Sequence, residues 1–189
     1  MSANAGAGVR PPMLAVGTVV WLASELMFFS GLFAAYFTLR STARGPWPPE
    51  GVELEATTAG LFTIALVASS GTIQLAVRAL ARSDRAAFRR WLVLTIALAL
   101  LFLANQGREW ATATFDTGSN TFGSAFYLMT GFHGLHVFGG VLAMLVLVGR
   151  AASPRFGAAD VPAAEVASYY WHFVDVVWIG MYLTLFVIT

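Results

Sequence analysis

Five long apolar runs, at about 14–39, 57–77, 91–107, 123–148 and 166–188, set the limits on what this chain can fold into. A bilayer core of about 30 Å takes about 20 helical residues to cross, with about 17 as the lower limit. Water cannot reach the backbone at that depth, so each N–H and C=O must find its partner within the protein. The runs are too long, and too free of strict alternation, for barrel strands. The predicted fold is therefore all-α, an integral membrane bundle of five transmembrane helices formed by residues 13–189 as a single domain. A flexible tail at 1–12 precedes it, ends at Pro11-Pro12, and carries Arg10 but no cleavable signal pattern. Only 11% of the residues are charged, against about 25% in a soluble domain, and nearly all of them lie between the runs.

Those connections orient the chain. The tail, the basic connection at 78–90 and the connection after 148 hold Arg10, Arg78, Arg82, Arg85, Arg89, Arg90, Arg150 and Arg155. The opposite side holds Arg40, Arg44 and Arg108. The positive-inside bias predicts a cytoplasmic N-terminus and an outside C-terminus. The stretch Gly45-Pro46-Trp47-Pro48-Pro49-Glu50 is expected to be a rigid, non-helical surface connection, because proline fixes the backbone and removes donors. The chain has no cysteine, which excludes thiol chemistry and disulfides. A net charge of +1 gives no basis for nucleic-acid binding. No internal repeat is visible, which weakens a transporter built from inverted halves.

Function must then lie with the few polar groups inside the runs. Glu25 sits in the first, His133 and His136 in the fourth, and His172 and Asp175 in the fifth. At a rise of about 1.5 Å per residue these five share a slab roughly 10 Å thick near the bilayer centre. A charge there costs about 2.5–3.5 kcal/mol, so each group should face protein or water. The i,i+3 pairs His133/His136 and His172/Asp175 suggest a shared interior face. Gly140, one turn from His136, should let another helix come close. Glu25 has no basic residue in its own run, so it is either protonated or hydrogen-bonded to a neighbour. Polar packing between helices is the first reading of the histidines, with proton handling and metal or haem ligation as rivals. No metal site and no catalytic residue is assigned. Trp171, Trp178 and Tyr182 form a separate aromatic seam, assigned to contact with lipid or another subunit. Gln106, Arg108 and Glu109, at the outer end of the third run, are assigned to similar contacts, with Arg108 pairing locally or touching headgroups.

Three stretches resemble one family. Ser24-Glu25-Leu26-Met27-Phe28-Phe29-Ser30-Gly31-Leu32-Phe33, Thr130-Gly131-Phe132-His133-Gly134-Leu135-His136-Val137 and Tyr170-Trp171-His172-Phe173-Val174-Asp175-Val176-Val177-Trp178 are similar to signatures of subunit III of the haem-copper oxidases, the cytochrome c oxidase subunit III family. Gln106 and Glu109 fall where that family has a Gln and a Glu, whereas Gly107-Arg108 and Trp110 depart from its usual residues. The resemblance runs from about Met13 to the end. Many members have seven helices, and this chain resembles the five-helix bacterial form, its Trp47-Pro48-Pro49 loop being similar to that of actinobacterial oxidases. The resemblance implies a non-redox subunit of an aa3-type, proton-pumping enzyme in the bacterial plasma membrane. It would bind no cofactor itself. Haem a, haem a3 and copper would lie in partner subunits I and II, with structural phospholipid at its surface. A cytochrome bc1 complex in a respiratory supercomplex is a further partner the family admits. Quinol oxidases share the five-helix form, and a nitric oxide reductase accessory protein is related, so the electron donor stays open.

Overall fold

The structure is a computed structural model and describes residues 13–188. The tail expected at 1–12 lies outside the described residues. Five helices follow one another: α1 Met13–Thr42, α2 Ala56–Ala81, α3 Arg85–Thr112, α4 Thr121–Arg150 and α5 Val161–Tyr182. A 3₁₀ turn, Ala158–Asp160, leads into α5, and a π-helical turn, Leu183–Val187, extends it. No strand occurs among the described residues. All five helical segments are long and apolar enough to cross a membrane.

Every helix begins before the apolar stretch that predicted it, and α1 to α4 also end beyond it. α1 has 30 residues, about 45 Å of helix, against a hydrocarbon core of about 30 Å. Hydropathy registers only the part in hydrocarbon, whereas the hydrogen-bond ladder continues into the headgroup region. The basic connection expected at 78–90 is therefore mostly helix. Only Arg82, Ser83 and Asp84 separate α2 from α3. Ser83 takes a left-handed φ of 62° to make that turn. The Asp84 carboxylate then accepts from the Ala87 amide at 2.9 Å and caps the bare donors at the start of α3. Asn120 does the same for α4, accepting from the Gly123 amide at 2.7 Å. At α5, Pro162 stands in the first turn, where its missing donor costs nothing.

α5 is the central helix: 56% of its apolar span is buried, against 11% for α1. It packs on α2 and α4, α2 pairs with α3, and α3 with α4, while α1 lies outside against α4 and α5. Leu66, Ile73 and Leu80 give α2 a buried seam at seven-residue spacing, the repeat that keeps one face on its neighbours. Trp171, Trp178 and Met181 fill the middle from α5, and Phe88, Phe122 and Phe126 close its ends. Lipid tails are as apolar as this core, so fit and interhelical hydrogen bonds hold the helices together, not expulsion from water.

Candidate functional site

The five ionisable groups inside the bundle do not share one face. They occupy three separate places. Among the described residues, no three His, Asp or Glu side chains gather where they could hold a metal ion.

The first place joins α1 to α4. His136 Nε2 lies 3.0 Å from Glu25 Oε2, and its Nδ1 lies 2.7 Å from the Phe132 carbonyl oxygen. That carbonyl can only accept, so Nδ1 carries a hydrogen and Nε2 is the atom that faces the carboxyl. Phe29 meets the imidazole edge-on at 4.9 Å and Phe28 lies beside it at 6.3 Å. The pair is mostly covered, with the two side chains 17% and 22% exposed. The Tyr170 hydroxyl donates to the His136 carbonyl at 2.9 Å, and its ring stacks on Trp21 of α1 with centroids 5.0 Å apart.

The second place joins α5 to α2. The Ser70 hydroxyl donates to Asp175 Oδ2 and lies 2.9 Å from His172 Nδ1. His172 Nε2 lies 3.2 Å from the Ser168 hydroxyl and 3.5 Å from Gln74 Oε1. The i,i+3 spacing of His172 and Asp175 does bring the two together, but through a serine on another helix.

The third place is His133 alone. It is fully buried and neither ring nitrogen has a hydrogen-bond partner among the described residues. Its ring stacks on Trp178 with centroids 4.8 Å apart, and Phe102 meets it edge-on at 5.8 Å.

The aromatic seam of α5 faces inward, which corrects its assignment to lipid or another subunit. Trp171 is 0% exposed and Trp178 is 2% exposed. Trp171 Nε1 donates to Ser69 Oγ at 2.8 Å, Trp178 Nε1 to Thr63 Oγ1 at 2.9 Å, and the Tyr182 hydroxyl to the Ala56 carbonyl at 3.2 Å. α2 thus carries a line of hydroxyls that anchors α5. A search for charged groups misses Thr63, Ser69 and Ser70. Their signal is polar residues inside an apolar run. The expectation for Gly140 is met: a Cβ there would stand 2.7 Å from two ring carbons of Trp171.

Gln106 is also buried, not a surface contact. Arg108 is exposed, but its ion-pair partner is Glu55 at the start of α2, 2.7 Å away, and not its neighbour Glu109. Glu109 is half-buried beside Phe115 and Phe126. The Arg108 hydrogen bond, helped by Thr58 and by the cation's charge, holds Glu55 below its ordinary 4.5. A carboxyl lowered in the folded state contributes stability above its unfolded value and loses it as pH falls through the folded one. Acidification below about 4.5 is therefore expected to loosen the tie between the 50–56 segment and α3. Deuterium uptake in that segment should rise in acid in the wild type. In Arg108→Gln the uptake should already be raised at neutral pH and respond less to acid. Both side chains are exposed, so the effect is local and small.

Five apolar spans locked to one another by polar contacts at mid-depth define a multi-pass helical membrane protein. Residues 7–189 match the sequence model of the family described as cytochrome c oxidase subunit III. The "Probable cytochrome c oxidase subunit 3" of Nocardia farcinica is 48% identical over 180 residues, covering 94% of this chain and 89% of the relative. The "Cytochrome c oxidase subunit 3" of Corynebacterium diphtheriae is 45% identical over 184 residues, covering 95% and 90%. That of Thermostichus vulcanus is 39% identical over 181 residues, covering 95% and 90%. The chain belongs to the cytochrome c oxidase subunit III family, and so to an oxidoreductase complex made with other oxidase subunits.

Proposed function

We propose that this chain is the non-redox subunit III of an aa3-type cytochrome c oxidase, a clamp for subunit I that supports proton uptake during the reduction of oxygen to water. The observation that carries the reading is how the histidines are used. His136 and His172 spend both ring nitrogens on hydrogen bonds within the chain, and His133 is sealed between Phe102 and Trp178. None is presented outward as an open ligand. The chemistry of haem a, haem a3 and copper then falls to subunits I and II. The thinly covered α1, with Val19, Val20 and Met27 among its exposed side chains, offers an apolar face for a large membrane partner. The same reading puts the chain in a bacterial plasma membrane, N-terminus cytoplasmic and C-terminus outside, with structural phospholipid around it and a cytochrome bc1 complex as a supercomplex partner.

The test is extraction of a tagged chain in mild detergent, with its partners and visible spectrum recorded on one sample. The expected sample carries two larger membrane subunits and haem a bands, and it oxidises reduced cytochrome c. Haem b and c bands in the same fraction would add the bc1 complex. Oxidation of quinol in place of cytochrome c would move the chain to a quinol oxidase. A colourless chain that purifies alone would overturn the reading.

A further inference from the structure

Five buried side-chain polar atoms lack a hydrogen-bond partner among the described residues. One, Asp175 Oδ1, belongs to the contact with Ser70. The other four sit on one helix pair: both ring nitrogens of His133, Gln106 Nε2 and Glu109 Oε1. His133 is 0% exposed and Gln106 6%.

The three residues form a line. Phe102 of α3 meets the His133 ring of α4 at 5.8 Å. Gln106 and Glu109 follow Phe102 at i+4 and i+7, so all three lie on one face of α3. Thr130 and Phe126 precede His133 by three and seven residues, on one face of α4. The two faces meet again at the far end, where Glu109 and Phe126 line one cavity. Gln106 therefore lies between, one turn from His133 and one from Glu109. α5 covers the line, with Trp178 on the His133 ring at 4.8 Å and Phe186 against Phe126 at 6.0 Å.

The neighbouring side chains have nothing left to offer. The Thr130 hydroxyl donates to the Phe126 carbonyl at 2.7 Å and accepts from Trp110 Nε1 at 3.2 Å. His136 spends both ring nitrogens on Glu25 and Phe132. A neutral imidazole needs a donor and an acceptor, and the amide nitrogen needs an acceptor. Water is both, in the smallest volume. Each step of the line is one turn, about 4.5–6 Å, which one water spans with two hydrogen bonds of about 2.8 Å. The cavity at the Glu109 end measures about 110 Å³, room for several waters. Polar side chains line it, Glu53, Glu55, Glu109, Thr112 and Thr114, and Glu53 and Glu55 are exposed at its mouth.

We infer that α3, α4 and α5 enclose a file of bound water that enters beside Glu109, passes Gln106 and ends at His133. The file is blind, because Phe102 and Trp178 close it at the histidine. It brings solvent from the Glu55–Arg108 side to mid-depth without opening a way across. It belongs to this chain alone and holds whichever oxidase takes the chain up.

The experiment uses the purified complex in two measurements. The first is a cryo-EM map fine enough to show ordered water. Water peaks are expected within about 3.2 Å of a His133 ring nitrogen and of Gln106 Nε2. The second is a brief X-ray pulse in water enriched in oxygen-18. The pulse makes hydroxyl radicals from bound water in place, so a buried side chain is oxidised only where water touches it. Phe102 and Trp178, each 2% exposed, should gain the heavy oxygen. Gln106→Leu should cut that gain roughly fivefold, about the worth of one hydrogen bond. A map in which these nitrogens meet only protein or lipid would overturn the inference. So would Phe102 and Trp178 left unoxidised, or oxidation that Gln106→Leu leaves unchanged. The two wild-type measurements decide the matter even where the variant fails to assemble.

Discussion

Replacing Trp171 by alanine should strip this chain from its complex on mild heating. The indole is fully buried, its ring carbons sit over Gly140 of α4, and its Nε1 donates to Ser69 of α2. One side chain thus joins the central helix to two neighbours. Truncating a buried tryptophan costs about 3–5 kcal/mol, through lost contacts and the cavity left behind. The loss is one of packing, because lipid offers an apolar side chain no penalty. At about 1.4 kcal/mol per tenfold, more than a hundredfold in the docking equilibrium of α5 is at stake. The measurement is the fraction of complexes that keep the chain after a graded heat step. Trp171→Phe should fall between wild type and alanine, since it keeps a ring but loses the Ser69 bond. The glycine supplies the sharper check. Gly140→Leu alone should be nearly as damaging, because its Cβ would already stand 2.7 Å from the indole. In the Trp171→Ala background the same leucine enters the vacated space and should restore part of the loss. Additive effects of the two changes would refute the contact, since independence is what separated sites show.

The same two residues mark where sequence reading stops. Gly140 was legible as a point of close approach, because it lies one turn from His136 on a helix expected to bring polar groups to its neighbours. Trp171 and Trp178 were not placed correctly, because a seam at seven-residue spacing looks alike whether it faces lipid or core. In water the polar side of a helix would break that tie. In a bilayer both sides are apolar, and only the hydroxyls of α2 show that the seam points inward. The five spans were read directly because hydrocarbon demands them. Their ends were not, because Arg85, Arg89 and Arg90 are charged and still helical. Depth along each helix could be counted from the sequence, which put five ionisable groups at one level. Rotation about each helix could not, and rotation divides them into three places. The link between Asp175 and His172 runs through Ser70, 105 and 102 residues away along the chain. A search confined to ionisable residues has no access to it.

Glu25 and His136 are also far apart in sequence, by 111 positions, and their meeting leads to the second strong expectation. Nδ1 of His136 is committed to the Phe132 carbonyl, so the contact between Nε2 and the carboxyl holds a single proton. Whether that proton rests on oxygen or nitrogen, the pair as a whole is uncharged, and an uncharged pair is what mid-membrane depth requires. His136→Leu removes the partner and leaves a carboxyl that must keep its proton unaided or carry charge. The cost is bounded by that of a charge at the bilayer centre, about 2.5–3.5 kcal/mol, and the partial exposure of both groups brings it below the full figure for a sealed pair. The chain should be lost from the complex roughly tenfold more readily or worse. Glu25→Gln should be mild, because its amide can donate to Nε2 and the site stays neutral. Glu25→Leu combined with His136→Leu should recover much of what His136→Leu loses, since no polar group is then stranded. Retention of the chain on heating reads all four proteins on one scale. Were His136→Leu equally costly with and without the carboxyl, the histidine would act by its bulk against Phe28 and Phe29, and the shared proton would have no part in holding α1 to α4.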